Sequence, residues 1–349
     1  MKQELRTSLT FLKLWPLVAL ALFLFSGCAT TTPSETTKEK TGNSETTKDT
    51  EPVATDTANN DASSQEPVPE KKAELPPEKP DKPRKTVFGG SRPVTLKVPA
   101  GYNHKEPHTL LVVLHGYGAA GDLQASYLGV LSLLKEKFLI VAPDGTKDSS
   151  GKQFWNATDA CCNFENKPVD DVKYISGLIA DIKKEYNVDP KRVFLLGHSN
   201  GGFMSFRMAC ELSEQLTGII SIAGATFVKS ESCSPKGKVN ILQIHGTSDA
   251  TILYKGGKLG GVLAYPSATQ TVEMWGSYNQ CTGKLDTSNS LTLDVDQRLT
   301  GKDTRVNRIA GCPAGGGVEL WTIEKGAHIP SFGENFAQLL LKWMKTATP

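Results

Sequence analysis

Downstream of residue 85, short runs of apolar residues alternate with longer stretches whose apolar positions recur at helical spacing. The runs Val94–Val98, Thr109–Leu114, Phe138–Ala142, Val193–Leu196, Gly218–Ala223, Val239–His245 and Val318–Ile323 read as strands. Several are continuously apolar rather than alternating, as strands of a parallel sheet covered on both faces must be. Val172, Ile175, Leu178, Ile179 and Ile182 keep a helical period and predict a helix over 172–186. Asp170 stands just before it, where a carboxylate can accept from the first free backbone N–H groups. A second helix is predicted over 335–345. The pattern predicts one α/β domain at 86–349, a mostly parallel central sheet flanked by helices.

Upstream, the pattern disappears. Residues 28–85 are dominated by Thr, Ser, Pro, Glu and Lys, with too little apolar surface to offset chain entropy. They read as a disordered tether, stiffened by the prolines of the stretch 74–80. Before it, Lys2 and Arg6 precede an apolar run from Leu14 to Phe25, too short to span a bilayer comfortably, and residues 1–27 read as a signal peptide. The run closes on Phe25-Ser26-Gly27-Cys28, which resembles the bacterial lipobox, with Phe25 where leucine is usual. The expectation is an exported bacterial lipoprotein, lipidated at Cys28 and held at the outer membrane or cell surface. An ordinary cleaved signal or an uncleaved anchor are the alternatives.

Composition narrows the partners. The formal net charge is +2, and no basic stripe with interleaved aromatics is present, so nucleic acid is not an expected partner. Beyond Cys28 stand Cys161, Cys162, Cys210, Cys233, Cys281 and Cys312, an even number in a chain expected to reach an oxidising compartment. Disulfides are expected; their pairing does not follow from the spacing, and Cys210 on an apolar helix face also fits a buried thiol. Adjacent Cys161 and Cys162 lack metal-ligand spacing, and no metal or cofactor is expected.

The chemistry centres on Gly197-His198-Ser199-Asn200-Gly201, which follows the apolar run 193–196 and precedes a helical segment. This is G-x-S-x-G in strand-turn-helix context, the nucleophile elbow of the α/β-hydrolase fold, with Ser199 as nucleophile. A bare helix cap at Ser199 is the plain alternative. A serine hydroxyl needs a base, and the base needs an acid that fixes its tautomer; in this fold the order is Ser, Asp or Glu, His. Only His245 and His328 follow Ser199, and His245 precedes any sensible acid, so His328 is the base by elimination. Asp249, leaving the end of the strand that carries His245, is the expected acid. Asp286, Asp294, Asp296 and Asp303 lie in a polar stretch and read as solvated charges.

Acyl transfer also needs donors for a developing oxyanion. The N–H of Asn200 and that of Tyr117, in His115-Gly116-Tyr117-Gly118, are the expected pair, with His115 structural within its loop. The segment from Phe154 to Cys162 is long enough to overhang the site, and Trp155 is the candidate substrate-binding residue, stacking on an aromatic or sugar group. Packing beneath its loop is the alternative for Trp155. Asp170 and Asp171 read as helix-start charges.

Together the segment 115–118, the segment 155–162, Asp170-Asp171-Val172, the segment 197–202, the segment 245–249 and Cys281 resemble the polyhydroxybutyrate depolymerase and feruloyl esterase family of secreted esterases. The likeness covers most of residues 90–335. It implies a serine esterase acting on short polyhydroxyalkanoates, feruloylated sugars or acetylated xylan without metal or organic cofactor, and it supports Ser199, Asp249 and His328. It also implies a disulfide between Cys281 and Cys312. Many polyhydroxybutyrate-type relatives carry a tryptophan soon after the histidine, where this chain has Ile329-Pro330-Ser331-Phe332, which argues against polymer specificity. Two other readings remain: a peptidase of the same fold, and a catalytically silent surface protein that binds glycan or polymer in the same cleft.

Overall fold

The computed structural model describes residues 84–348; the expected signal peptide, Cys28 and nearly all of the expected tether lie outside the described residues. Contacts with the folded body begin before residue 86. Arg84 Nη1 donates to the Glu185 carbonyl at 2.8 Å, and the Lys85 N–H to the Glu185 carboxylate at 3.0 Å.

The apolar runs pair into an eight-stranded sheet: β1 (His108–Leu114), β2 (Phe138–Val141), β3 (Val188–His198), β4 (Gly218–Ile222), β5 (Asn240–Gly246), β6 (Leu291–Leu293), β7 (Thr304–Arg308) and β8 (Val318–Ile323). Their order across the sheet is β6-β7-β8-β5-β4-β3-β1-β2. The six strands from β8 to β2 are parallel, and β7 and β6 extend one edge antiparallel. The run 94–98 is a correction: only Val94–Thr95 is strand, and it pairs with Val87–Phe88 in a separate ribbon. Pro93 and Pro99 bracket it, and neither ring nitrogen can donate to a ladder.

Alternate residues of the parallel strands enter two separate cores. Leu110, Val112, Leu195, Ile219, Ile241 and Leu320 face one side. Leu111, Val113, Phe194, Ile220, Leu242 and Ile323 face the other. Among the described residues, α1 (Gly121–Tyr127) and α5 (Phe336–Thr346) cover the second face; α2 (Asp171–Glu185), α3 (Asn200–Glu211) and α4 (Ala268–Tyr278) cover the first. Asp170 caps α2 by accepting the Lys173 N–H at 2.9 Å. No helix among the described residues is long and apolar enough to cross a membrane.

Parallel strands bring their carboxyl ends to one edge of a sheet. The turns that leave β1, β3, β5 and β8 meet there, and these are the turns that carry the segment 115–118, Ser199, Asp249 and His328.

Candidate active site

The strand β3 turns into α3 at a single residue. Ser199 adopts φ 54° and ψ −120°, a left-handed conformation that is costly for a residue with a Cβ and that aims its side chain out of the turn. A Cβ on Gly197 would lie 2.0 Å from the Gly201 carbonyl oxygen, and one on Gly201 would lie 2.1 Å from the Leu114 carbonyl oxygen. Only glycine permits this approach of strand, turn and helix.

Above the elbow, Ser199, His328 and Asp249 stand in line. The Ser199 hydroxyl and His328 Nε2 are 3.0 Å apart, and His328 Nδ1 lies 2.7 Å from Asp249 Oδ2. With the proton on Nδ1 donated to Asp249, Nε2 is left to accept from the serine. The other Asp249 oxygen accepts the N–H groups of Thr251 and Ile252, each at 2.8 Å. Burial favours the neutral carboxyl, but the bonds from His245 and His328 prevail and hold Asp249 well below the usual carboxylate range.

His245, set aside as a base in the sequence, is nonetheless part of this cluster. Its Nε2 lies 2.7 Å from the Ile252 carbonyl and 3.3 Å from Asp249 Oδ2, both acceptors, so this nitrogen carries the proton. Gln243 Nε2 donates to its Nδ1 at 3.2 Å. The β5 register supplies the missing signal: Gln243 and His245 are two apart on a strand and share a face.

The loop carrying His328 is held by its carbonyls. His198 Nε2 donates to the His328 carbonyl at 2.8 Å, Arg298 Nη2 to that of Ile329 at 2.5 Å, and the Tyr127 hydroxyl to that of Pro330 at 2.7 Å. Burial, helped by the neighbouring His328 ring, pushes His198 down to about 4. Asp296 accepts the Ser331 N–H at 2.9 Å and pairs with Arg298 through both oxygens. Asp296 and Asp303 are therefore not solvated charges: they are 2% and 4% exposed, and Asp303 accepts the N–H groups of Val295 and Asp296.

On the opposite wall, the segment 115–118 lies against the elbow: a Cβ on Gly116 would sit 3.4 Å from that of Ser199. The Gly116 N–H donates to Gln124 Oε1 at 3.2 Å, the Gly118 N–H to the Gln153 carbonyl at 2.8 Å and the Ala119 N–H to the Gly116 carbonyl at 3.0 Å. Neither the Tyr117 N–H nor the Asn200 N–H donates to a protein acceptor among the described residues. His115 is buried; its ring lies 2.8 Å from the Gly116 carbonyl through Nδ1 and accepts the Gly145 N–H at 2.8 Å through Nε2. A cavity of about 410 Å³ opens between the two walls, with Leu123, Tyr127 and Ile329 beside Ser199 and His328.

Residues 101–261 match the phospholipase/carboxylesterase family. Feruloyl esterase D of Neurospora crassa is 26% identical over 257 residues, covering 70% of this chain and 76% of its own length. Feruloyl esterase B of Piromyces equi is 26% identical over 251 residues, again 70% of this chain but only 44% of the fungal protein, so the present chain spans less than half of that relative. The chain has the α/β-hydrolase fold and is similar to feruloyl esterases. Among solved structures, the acetyl xylan esterase from Aspergillus awamori superposes with a TM-score of 0.49 at 13% identity, over 73% of this chain and 94% of that one.

Trp155 departs from its expected role. It is 0% exposed, its indole N–H donates to the His115 carbonyl at 3.1 Å, and its ring packs on that of His115 at 5.0 Å. A fully buried ring cannot stack on substrate; the indole N–H is satisfied by the loop it supports. The Asn200 side chain, which sequence reasoning overlooked, pins this segment by accepting the Trp155 N–H at 2.7 Å and donating to its carbonyl at 3.0 Å. Asp171 is likewise more than a helix-start charge. It is 1% exposed, accepts the Asn156 N–H at 2.7 Å and pairs with Arg92 at 2.7 Å. The cysteines pair as Cys161–Cys162, Cys210–Cys233 and Cys281–Cys312. No cluster of three or more His, Cys, Asp or Glu side chains among the described residues is placed to hold a metal ion.

Proposed function

We propose that the protein is a serine esterase in which Ser199 is the nucleophile, His328 the general base and Asp249 the acid that orients it. The observation that carries this reading is the unbroken hydrogen-bond line from Ser199 through His328 to Asp249, at 3.0 Å and 2.7 Å. His328 takes the Ser199 proton as the oxygen attacks the ester carbonyl, and the Tyr117 and Asn200 N–H groups receive the oxyanion. His328 then protonates the leaving alcohol, leaving an acyl-enzyme on Ser199. Water, activated by His328, releases the acid and restores the serine. The names of the relatives and the small, largely apolar cavity beside Ser199 favour small acyl or aryl esters such as acetyl and feruloyl esters.

Turnover of p-nitrophenyl acetate, p-nitrophenyl butyrate, methyl ferulate and polyhydroxybutyrate granules by wild type and Ser199→Ala tests the assignment. Wild type should hydrolyse the soluble esters, and Ser199→Ala should retain about a thousandth of that rate or less. Equal turnover by the two on every substrate would contradict it.

We further propose that residues 86–349 form the catalytic domain and that it is exported and tethered through residues 28–85 to a lipid on Cys28. The lipobox-like Phe25-Ser26-Gly27-Cys28 and the composition that follows support this. Cys28→Ser should move the protein from the membrane to the soluble fraction; unchanged membrane association would rule out lipid anchoring at Cys28.

A further inference from the structure

The segment 116–119 commits its backbone donors with one exception. Among the described residues, the N–H groups of Gly116, Gly118 and Ala119 go to Gln124, the Gln153 carbonyl and the Gly116 carbonyl, and that of Tyr117 goes to no protein acceptor. The peptide that carries this N–H is fixed from its other side. The Gly116 carbonyl accepts from Ala119 and from the His115 ring, whose Nε2 accepts the Gly145 N–H and whose Nδ1 therefore carries the proton. Peptide planarity then turns the Tyr117 N–H away from that held carbonyl.

The Tyr117 side chain is tied to a second element. Thr146–Lys147 and Gln153–Phe154 pair as a two-stranded ribbon, and Asp148 stands at its turn. Asp148 Oδ1 accepts the Ser150 hydroxyl at 2.7 Å and the Ser150 and Lys152 N–H groups at 2.8 Å and 2.9 Å, which is what a turn asks of an aspartate. Oδ2 is left for another partner, and it accepts the Tyr117 hydroxyl. This bond, ahead of any other cause, holds Asp148 down to about 2 and pushes Tyr117 up to about 12. Carboxylate and phenol therefore stay acceptor and donor through the neutral range. Lys152 Nζ and the Phe164 ring flank the Tyr117 ring at 5.5 Å and 5.6 Å. The ribbon also holds the main chain: Gln153 accepts the Gly118 N–H through its carbonyl, and its Nε2 donates to the Ala119 carbonyl at 3.0 Å.

We infer that Asp148 is a positioning residue for the oxyanion hole: through the Tyr117 hydroxyl it fixes the residue whose N–H receives the developing charge. Tyr117 lines the Ser199 cavity and Asp148 does not, so the bond joins the ribbon turn to the catalytic wall from outside. A donor held in place before reaction stabilises an oxyanion without reorganisation, and a loosened Tyr117 would lose that advantage. The inference rests on the esterase reading, with the Tyr117 N–H as one of the two donors.

Inhibition of the full chain by trifluoroacetophenone, and by the alcohol formed on its reduction, separates this role from a structural one. The Ser199 oxygen adds to the ketone carbonyl, the serine proton passes to His328, and the carbonyl oxygen becomes an anion in the hole; the alcohol has no carbonyl to attack. Tyr117→Phe keeps the ring and the N–H. It should raise the ketone Ki and lower kcat/KM for p-nitrophenyl acetate in parallel, about tenfold against the about hundredfold or more expected on losing a donor outright, with the alcohol Ki unchanged. Asp148→Asn keeps Oδ1 for the turn and replaces the charged acceptor with an amide N–H, and it should cost about threefold in both. Added to Tyr117→Phe, it should cost nothing more, because no hydroxyl remains for it to hold. Equal weakening of ketone and alcohol, an unmoved ketone Ki, or additive losses in the double variant would overturn the proposal. If the wild type turns over the acetate, such a result falls on Asp148 alone. A wild type with no turnover and no preference for ketone over alcohol would sink the esterase reading and this inference with it.

Discussion

His245 and His328 both point a ring nitrogen at the same oxygen of Asp249, at 3.3 Å and 2.7 Å. The proton of His245 Nε2 is shared with the Ile252 carbonyl, so this ring fixes the carboxylate while His328 is free to turn toward the serine. Replacing it with a ring of similar size and no donor should leave the cavity intact and loosen Asp249. His245→Phe is expected to lower kcat about tenfold with little change in KM, about 1.4 kcal/mol of barrier. A rise in KM at constant kcat would show that the ring serves binding instead. The motif and the chain order pointed to Ser199, His328 and Asp249, which lie within hydrogen-bond reach of one another. Strand register, which sequence spacing alone does not reveal, brought His245 to the acid.

At the scale of elements, the elbow and the His328 loop do the positioning. Gly197→Ala would drive a Cβ to 2.0 Å from the Gly201 carbonyl oxygen, and no rotamer change can relieve a clash with backbone. A loss of about 3 kcal/mol or more is expected, read as a large fall in denaturation midpoint or in soluble yield. Asp296→Ala removes the acceptor of the Ser331 N–H and the partner of Arg298, which itself holds the Ile329 carbonyl. Amide exchange should quicken over 328–332 and kcat should fall, while exchange in β3 and β4 stays unchanged. The buried strands were readable as continuous apolar runs, whereas β7, Thr-Arg-Val-Asn-Arg, has no such run. Its burial comes from antiparallel pairing with β8, and the same pairing buries Asp303, which composition alone assigned to solvent. Trp155 failed for a related reason: one aromatic in a loop packs inward or outward according to partners elsewhere in the chain, here His115 and Asn200.

For the whole molecule, two features tie stability to environment. His198 titrates at about 4 when folded against 6.5 for its ordinary value, because burial opposes its charge. The unfolded chain therefore takes up this proton first, so its contribution is intact above about pH 6.5 and is lost as pH falls toward 4. The loss is about 3 kcal/mol, and His198→Asn should flatten that limb of a melting temperature profile. The Cys210–Cys233 bond closes a sequence separation of 23 residues between α3 and the segment before β5. Its removal by Cys210→Ser with Cys233→Ser should cost about 3 kcal/mol and lower Tm by several degrees.

The central claim, that Ser199 is an activated nucleophile, is tested most directly by intact-mass measurement after exposure to a fluorophosphonate. A single adduct, mapped to Ser199, absent from Ser199→Ala and formed far more slowly in His328→Ala, is the predicted result. An unlabelled wild type, or an adduct that persists in Ser199→Ala, would contradict it.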